Sequence, residues 1–436
     1  MSSSIKNQRA ILDKLSIKEL NEMQKTAKFA IHTNANLVLL SPTGTGKTLA
    51  FLLPIIEELD PECDQIQALI LVPSRELAIQ IEQVAREMGT GFKINAFYGG
   101  QSFSKDRSEL DTPPAILIGT PGRIADHLRR ETFEVTYIKS LVLDEFDKSL
   151  EIGFEADMTE IIDALPNVKK KILTSATKGI EIPDFVGLKD EEIVNFLDID
   201  KPDLTIKTVI SPGKDKLDTL VALLNQLGDK RGLVFCNFKD SIQRVSDFLN
   251  HHRIPHGCFY GGLEQNDREN ALIKFRNGTH RLLIATDLAA RGIDVPEMDF
   301  IIHYHLPLKA EEFTHRNGRT ARMHSDGVAY VLKWSDEDLP DFIQPDGVEE
   351  LSVSNPPTKT EWKTLYISGG RRDKISKGDI AGFFFKEGKL KKGELGDIEL
   401  KQESAFVAVK SDKVDQVLKL IDNKKLKTKK VRISVI

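Results

Sequence analysis

Ser41-Pro42-Thr43-Gly44-Thr45-Gly46-Lys47-Thr48 is the stretch whose reading decides the fold. The apolar run Leu37-Val38-Leu39-Leu40 before it reads as a buried strand, and Leu49, Phe51, Leu52 and Leu53 after it read as a helix. A strand, a glycine turn and a helix start are the setting of a phosphate-binding loop. Gly44 and Gly46 let the backbone curl so that successive amides point inward, and the helix N-terminus adds its partial positive charge. Lys47 supplies a full charge for β- and γ-phosphates, and Thr48 a hydroxyl for Mg2+. The common pattern has glycine where Ser41 stands, so the spelling is unusual, but the Gly-Lys-Thr ending is kept.

Working outward, four more apolar runs alternate with helical patterns. Residues 68–72 lead into Pro73-Ser74-Arg75-Glu76-Leu77, and residues 115–118 into Gly119-Thr120-Pro121-Gly122-Arg123. Residues 141–143 lead into Asp144-Glu145-Phe146-Asp147, and residues 171–173 into Thr174-Ser175-Ala176-Thr177. Strands this apolar predict a parallel sheet covered on both faces. Each run is followed by its polar residues, and ligands of such sheets bind at the carboxyl ends of the strands. The polar chemistry is therefore expected along one edge of one sheet. There, Asp144 suits a metal ion and Glu145 suits an attacking water.

Residues 199–215 interrupt this rhythm and read as a boundary. The alternation restarts at Gly232-Leu233-Val234-Phe235-Cys236 and continues through runs at 282–285, 300–302 and 329–332. Phe97-Tyr98-Gly99-Gly100 is echoed by Phe259-Tyr260-Gly261-Gly262, which suggests a duplicated domain whose second copy has no phosphate loop. His315-Arg316-Asn317-Gly318-Arg319-Thr320-Ala321-Arg322 sets three arginines within eight residues of that second copy. An arginine brought to a γ-phosphate speeds phosphoryl transfer by ~10³–10⁵, so this cluster is a candidate finger. Prolines 340, 345, 356 and 357 mark a second linker, and the tail beyond it reads β-α-β-β-α-β, the split order of RNA-recognition modules. The expected organisation is α/β: a nucleotide-binding domain over 1–200, a like domain over 201–335, a linker over 336–362 and a small α+β domain over 363–436.

A chain of 436 residues has room for these domains. No stretch approaches the ~20 apolar residues of a membrane span, and residues 1–6 lack the apolar core of a signal peptide. Cys63, Cys236 and Cys258 have neither metal-site spacing nor an even count, and read as thiols in a reducing, cytoplasmic setting. Residues 363–436 hold 19 Lys and Arg against 10 Asp and Glu, so the tail is basic although the whole chain carries −5. A basic tail on an acidic body points to a polyanionic partner.

Together these pieces resemble the DEAD-box RNA helicases of superfamily 2, across residues 11–334. Gln24 matches the adenine-reading glutamine and 41–48 motif I. Residues 73–77 look like motif Ia, Gly99-Gly100 the GG element, and 120–123 motif Ib. Residues 144–147 stand where Asp-Glu-Ala-Asp would be. Ser175-Ala176-Thr177 is similar to motif III, 285–294 to motif V and 315–322 to motif VI. The resemblance implies two RecA-like domains that close around ATP, with Mg2+, and single-stranded RNA. It implies that Ser41, Thr43, Gly44, Thr45, Gly46, Lys47 and Thr48 hold the nucleotide and that Asp294 meets the ribose. Arg319 and Arg322 would meet the γ-phosphate, and Asp147, Ser175, Thr177 and His315 would couple the ATP and RNA sites. Pro73, Arg75, Gly100, Thr120, Gly122, Arg123 and Thr286 would face RNA. Phe146 replaces the family's alanine beside Asp147, which places any departure in coupling there. Ala321 replaces a family glycine.

The tail resembles the RNA-binding domain of the DbpA-type branch, through 364–373, 378–382 and 395–398. In that branch the tail grips a ribosomal RNA hairpin during large-subunit assembly. Arg371, Arg372 and Lys374 are candidate contacts, with Tyr366 and Phe406 the visible part of an aromatic pair. The expected activity is RNA-stimulated ATP hydrolysis with local opening of short duplexes, by a monomeric or weakly self-associating protein. The rival readings are an ATP-gated RNA clamp that separates few strands, and a DNA-directed ATPase of the same superfamily.

Overall fold

Along each strand of the first half, neighbouring side chains point to opposite faces, and each face has its own core. Leu37 and Leu39 join one cluster with Ile70, Ile116, Ile118 and Val142. Val38 joins another with Leu69, Leu71, Leu117 and Leu143. A sheet covered on both sides needs apolar residues at every position instead of every second one, and this is why the runs read as unbroken.

The computed structural model describes residues 7–42, 44–177, 181–197, 204–287, 298–320, 327–352 and 360–436. Two compact units separate, one built on Met1–Lys201, the other on Pro202–Ala290 and Val295–Ile436. The first holds strands β1 (Asn36–Leu40), β2 (Ala68–Leu71), β3 (Ile94–Phe97), β4 (Ile116–Gly119), β5 (Ser140–Leu143), β6 (Lys170–Ser175) and β7 (Glu192–Asn195). They lie in the order β3-β4-β2-β5-β6-β1-β7, all parallel. Its helices are α1 (Gln8–Lys14), α2 (Glu22–Thr33), α3 (Lys47–Glu58), α4 (Arg75–Glu87), α5 (Phe103–Leu110), α6 (Pro121–Arg129), α7 (Phe146–Ile152) and α8 (Glu155–Asp163). Local chemistry sets their starts. The Ser74 hydroxyl accepts from Leu77 N at 3.2 Å, and Pro121 takes the first position of α6, where a missing N–H costs nothing.

The second unit repeats the plan. Its strands are β8 (Leu204–Ser211), β9 (Gly232–Phe235), β10 (His256–Phe259), β11 (Leu282–Ala285), β12 (Phe300–His303), β13 (Gly327–Trp334) and β14 (Gly347–Val348). The order β10-β11-β9-β12-β13-β8-β14 is the first sheet's order advanced by seven. The helices described here are α9 (Leu217–Leu227), α10 (Lys239–His251), α11 (Gln265–Arg276) and α12 (Ala310–Asn317). The two Phe-Tyr-Gly-Gly echoes follow β3 and β10, topologically equivalent strands. Gly100 and Gly262 turn the chain there with φ of 90° and 103°.

Two linker expectations are corrected. Residues 204–211, read inside a boundary, form β8, which pairs with β13 along its whole length. Thr205, Lys207 and Thr208 dilute its apolar signal, and Lys207 is answered by Glu349 at 2.6 Å. Residues 336–352, read as linker, pack on the second sheet. Ile343 is buried with Phe313 and Val331, and β14 pairs with β8. A two-residue edge strand, Gly347 and Val348, with both residues exposed leaves no periodicity to read.

The tail is the expected β-α-β-β-α-β: β15 (Trp362–Ile367), α13 (Lys377–Lys386), β16 (Leu395–Leu400), β17 (Ala405–Lys410), α14 (Val414–Ile421) and β20 (Ile433–Val435), with a small hairpin, β18 (Lys425–Leu426) and β19 (Lys429–Lys430), before the last strand. The sheet runs β16-β17-β15-β20. Phe383 and Phe384 of α13 are core residues, while Phe385 is partly exposed. The other sheet face packs on α11 and the turn after it. Asn277 Nδ2 donates to Thr364 Oγ1 at 3.2 Å, Thr279 Oγ1 lies 2.7 Å from the same atom, and Arg276 pairs with Glu399 at 2.9 Å. No helix among the described residues is long and apolar enough to cross a membrane.

Candidate active site

The loop between β1 and α3 has the curl that its glycines predict. Gly44 and Gly46 have φ of 85° and 86°, and Gly46 caps α3 in the left-handed region. Lys47 is buried, its Nζ donating to Ser41 O at 2.6 Å and Pro42 O at 2.9 Å, so its charge sits inside the loop. Thr45 Oγ1 lies 2.7 Å from Ser41 Oγ and donates to Pro42 O at 2.9 Å. Ser41 thus braces the loop with its hydroxyl, and its amide donates to Ser175 O at 3.0 Å. Thr48 is half-buried in the first turn of α3. Thr43 lies outside the described residues.

Gln24 closes a capping box at the start of α2. Asn21 Oδ1 accepts from Gln24 N at 2.8 Å, and Gln24 Oε1 accepts from Asn21 N at 3.0 Å. The same two side chains reach the phosphate loop: Gln24 Nε2 donates to Gly46 O at 3.2 Å and Asn21 Nδ2 to Thr45 O at 3.0 Å. The φ of 86° favours glycine at Gly46, and a Cβ there would also stand 2.4 Å from Gln24 Nε2 and displace that amide from its bond to Gly46 O. Asn21 was not singled out in the sequence, although Asn followed three residues later by Gln is a legible cap signal.

At the end of β5, Asp144 is buried and its carboxyl is pushed above the usual range by loss of solvent. The Thr174 hydroxyl and the Lys47 charge oppose that shift. Thr174, which the sequence reading did not select, donates to Asp144 Oδ1 and accepts from Glu145 N, the latter at 3.2 Å. Glu145 adopts φ 49°, ψ 49°, a strained conformation for a non-glycine residue that persists only where its surroundings hold it. Phe146 beside it is fully buried in the core beneath the sheet. Asp147 is left free to accept from Thr177 Oγ1 at 3.0 Å, and Lys148 Nζ stands 3.5 Å from the same carboxylate oxygen. Thr177 N and Oγ1 lie 3.0 and 3.1 Å from Ser175 Oγ. The bulky Phe146 therefore leaves the Asp147–Thr177 link in place.

Further along the same edge, the Arg75 guanidinium lies over Gly99 and Gly100. A Cβ on Gly100 would meet its Nη1 at 2.5 Å. Pro73 and Thr120 are buried, and Gly122 is in the first turn of α6. Arg123 is turned inward onto Asp106 at 2.7 Å.

In the second unit, His315 and Arg319 are buried near the end of α12, and Thr286 N donates to Phe259 O at 3.4 Å. Arg316, counted among the candidate finger arginines, is buried and bound to Asp287. Asp294 and Arg322 lie outside the described residues. In the tail, Arg371, Arg372 and Lys374 lie in and just after a single turn, where Arg372 pairs with Glu403, and Lys429 binds Asp373 at 2.8 Å. Tyr366 and Phe406 are cross-strand neighbours with ring centroids 5.6 Å apart.

A phosphate loop, a strand-end carboxylate pair linked to Ser-Ala-Thr, and a repeated parallel sheet define a helicase-type ATPase core. Comparison with known proteins agrees. Residues 21–185 match the DEAD/DEAH box helicase family, and 215–324 the helicase conserved C-terminal domain. The structure is similar to yeast (S. cerevisiae) Dbp5 bound to RNA and ADP BeF3, with TM-score 0.67 at 25% identity over 75% of this chain and 88% of that one. The chain belongs to the DEAD-box ATP-dependent RNA helicases, which are RNA-dependent ATPases. Within them it is of the DbpA type. Residues 364–435 match the DbpA RNA binding domain. The ATP-dependent RNA helicase DbpA of Escherichia coli is 31% identical over 98% of this chain and 96% of its own. The protein of the same name from Bacillus subtilis is 29% identical over 97% and 96%.

Proposed function

We propose that this protein uses ATP to open short RNA duplexes locally, that its C-terminal domain directs it to structured ribosomal RNA, and that it works in large-subunit assembly in the cytoplasm as a monomeric or weakly self-associating protein. The observation that carries the targeting is the basic β-α-β-β-α-β tail, matched along nearly its whole length by the DbpA RNA binding domain. In this reading the amides of the phosphate loop and Lys47 bind the β- and γ-phosphates. Thr48 and Asp144 would hold Mg2+, largely through water, and a strand-end carboxylate next to a phosphate loop suits an ion that is bound by one or two carboxylates together with substrate phosphates. When bound, Mg2+ neutralises charge on the β- and γ-oxygens. Glu145 orients the attacking water, Arg319 and Arg322 stabilise the γ-phosphate, Asp294 holds the ribose and Gln24 reads adenine. Asp147, Ser175, Thr177 and His315 carry the state of the nucleotide to the RNA. Pro73, Arg75, Gly100, Thr120, Gly122 and Thr286 line the RNA path, Arg123 stands behind it on Asp106, and Arg371, Arg372 and Lys374 serve the structured target.

Steady-state ATPase with generic single-stranded RNA, single-stranded DNA and total ribosomal RNA tests this, on the full chain and on residues 1–362, a truncation that retains β14. Preferential stimulation by ribosomal RNA only when the tail is present supports the reading. Equal stimulation by every RNA overturns the targeting, and equal stimulation by DNA overturns the RNA assignment.

A further inference from the structure

Beneath the polar edge of the first unit lies a carboxylate with no solvent exposure. Asp106 Oδ2 accepts from Arg123 Nε at 2.8 Å, lies 2.7 Å from Arg123 Nη2, and is 3.3 Å from His127 Nε2. Arg123 Nη2 also donates to Gln101 O at 3.2 Å. Phe103 covers the group. Its ring stacks on His127 at 4.4 Å between centroids and lies 5.0 Å from the Arg123 guanidinium carbon.

Arginine presents five N–H groups in a fixed plane. Three of them here point at Asp106 and Gln101, and the Arg123 side chain keeps only 11% of its surface exposed. Its charge is also neutralised at contact distance, so a phosphate reaching it meets a carboxylate as well. Gln101 follows Gly100 in the turn under Arg75, whereas Arg123 is on the first turn of α6. One guanidinium therefore ties two strand-end loops together.

We propose that Asp106 and Arg123 are positioning residues that lock the 99–101 turn to the start of α6 and so shape the edge that receives the RNA backbone, with Arg123 making no phosphate contact of its own. This rests on the reading that Arg75, Gly100 and Thr120 face RNA.

The two roles differ in their response to salt. Each phosphate neutralised on a single strand contributes about 0.7 to the slope of log K against log salt. Binding of a fluorescein-labelled single-stranded RNA to the full chain, with a non-hydrolysable ATP analogue, is to be measured across salt. Arg123→Gln is expected to weaken binding several-fold with the slope unchanged. Arg123→Lys is expected to do the same, because an ammonium keeps the charge but not the fork. Asp106→Asn is expected to raise the KM for RNA several-fold in the ATPase assay, while kcat at saturating RNA and the KM for ATP stay within about twofold; a merely structural loss would move all three. A slope reduced by about 0.7 in Arg123→Gln, or full rescue by lysine, overturns the proposal. Arg75→Gln is the separate control: if it changes neither affinity nor slope, the reading of this edge as an RNA site fails instead.

Discussion

Arg316 and Asp287 form a bidentate pair: Arg316 Nε is 2.6 Å from Asp287 Oδ1 and Nη2 is 2.5 Å from Oδ2, with the arginine side chain 1% exposed. The remaining donors go to His305 O and Asn237 Oδ1, both at 2.8 Å, and the guanidinium lies 5.1 Å from the Phe235 ring centroid. These partners follow β9, β11 and β12, so one side chain joins three strand ends. Arg316 is thereby a strut and not a finger. Lysine cannot reproduce the fork, and removing one partner of a buried pair costs about 3–5 kcal/mol. Both tryptophans, Trp334 and Trp362, lie in the second unit, so their fluorescence follows its unfolding alone. Arg316→Lys should lower the urea midpoint of that signal markedly. An unchanged midpoint would show that the strut carries no stability.

Arg319 is an arginine of this cluster proposed above to meet the γ-phosphate. Arg319→Gln should cut RNA-stimulated kcat by about a thousandfold, the scale of a finger arginine, in protein that a cooperative tryptophan transition shows to be folded. Near-normal turnover in a folded Arg319→Gln protein would remove it from the γ-phosphate.

What could be read from the sequence divides along physical lines. The ATP-side elements were legible because each couples an unbroken apolar strand to an unusual polar turn, as at 37–48 and 141–147. The role of Arg316 was not, since three arginines within eight residues look alike until Asp287, 29 residues away, selects one. Thr174 escaped for a related reason: it reads as one of the polar residues after the 171–173 run, with nothing to set it apart, and only the fold brings its hydroxyl to Asp144. The edge strands β7 and β14 left almost no pattern, because they are stabilised by backbone pairing with β1 and β8.

The glutamate of the strand-end pair gives a test of the cycle. Lys47→Ala removes the only full positive charge in the described part of the phosphate loop and should abolish turnover; normal ATPase would withdraw the loop assignment. Glu145→Gln keeps the size of the side chain but cannot activate water. It should hold ATP and RNA together, seen as slow release of labelled RNA in the presence of ATP. Fast release with unhydrolysed ATP would contradict closure on the nucleotide.

Burial sets a pH dependence in the second unit. His303 is held down to about 3 by loss of solvent and by the adjacent Arg316 charge. His280 and His305 are each lowered to about 4, mainly by burial. The unfolded chain takes up these protons near pH 6.5 and the folded one does not, so stability is full above about 6.5 and is lost as pH falls toward 4. The tryptophan urea midpoint should therefore drop between pH 7 and 5. His303→Asn should flatten that drop; its partner, Asn317 Oδ1 at 3.0 Å, can still receive an N–H. A midpoint independent of pH over this range would contradict the assignment of these histidines as buried and neutral.

The Asp147–Thr177 bond of 3.0 Å bears on whether hydrolysis is joined to strand separation in a chain that carries Phe146. Phe146 is buried below the sheet, and its ring supports the turn that carries Glu145 and Asp147 without entering the polar edge. The link between the carboxylate turn and the Ser175–Thr177 hydroxyl pair is therefore available, and coupling should survive the substitution. Thr177→Ala removes the donor to Asp147 while leaving Thr174, Asp144 and Lys47 untouched. Its expected signature is a split: RNA-stimulated ATPase within a few-fold of the parent, but unwinding of a short labelled RNA duplex reduced at least tenfold, a loss of about 1.4 kcal/mol or more at the coupled step. Equal loss of both activities would mean that Thr177 serves the ATP site itself, and loss of neither would mean that the nucleotide state reaches the RNA by another route.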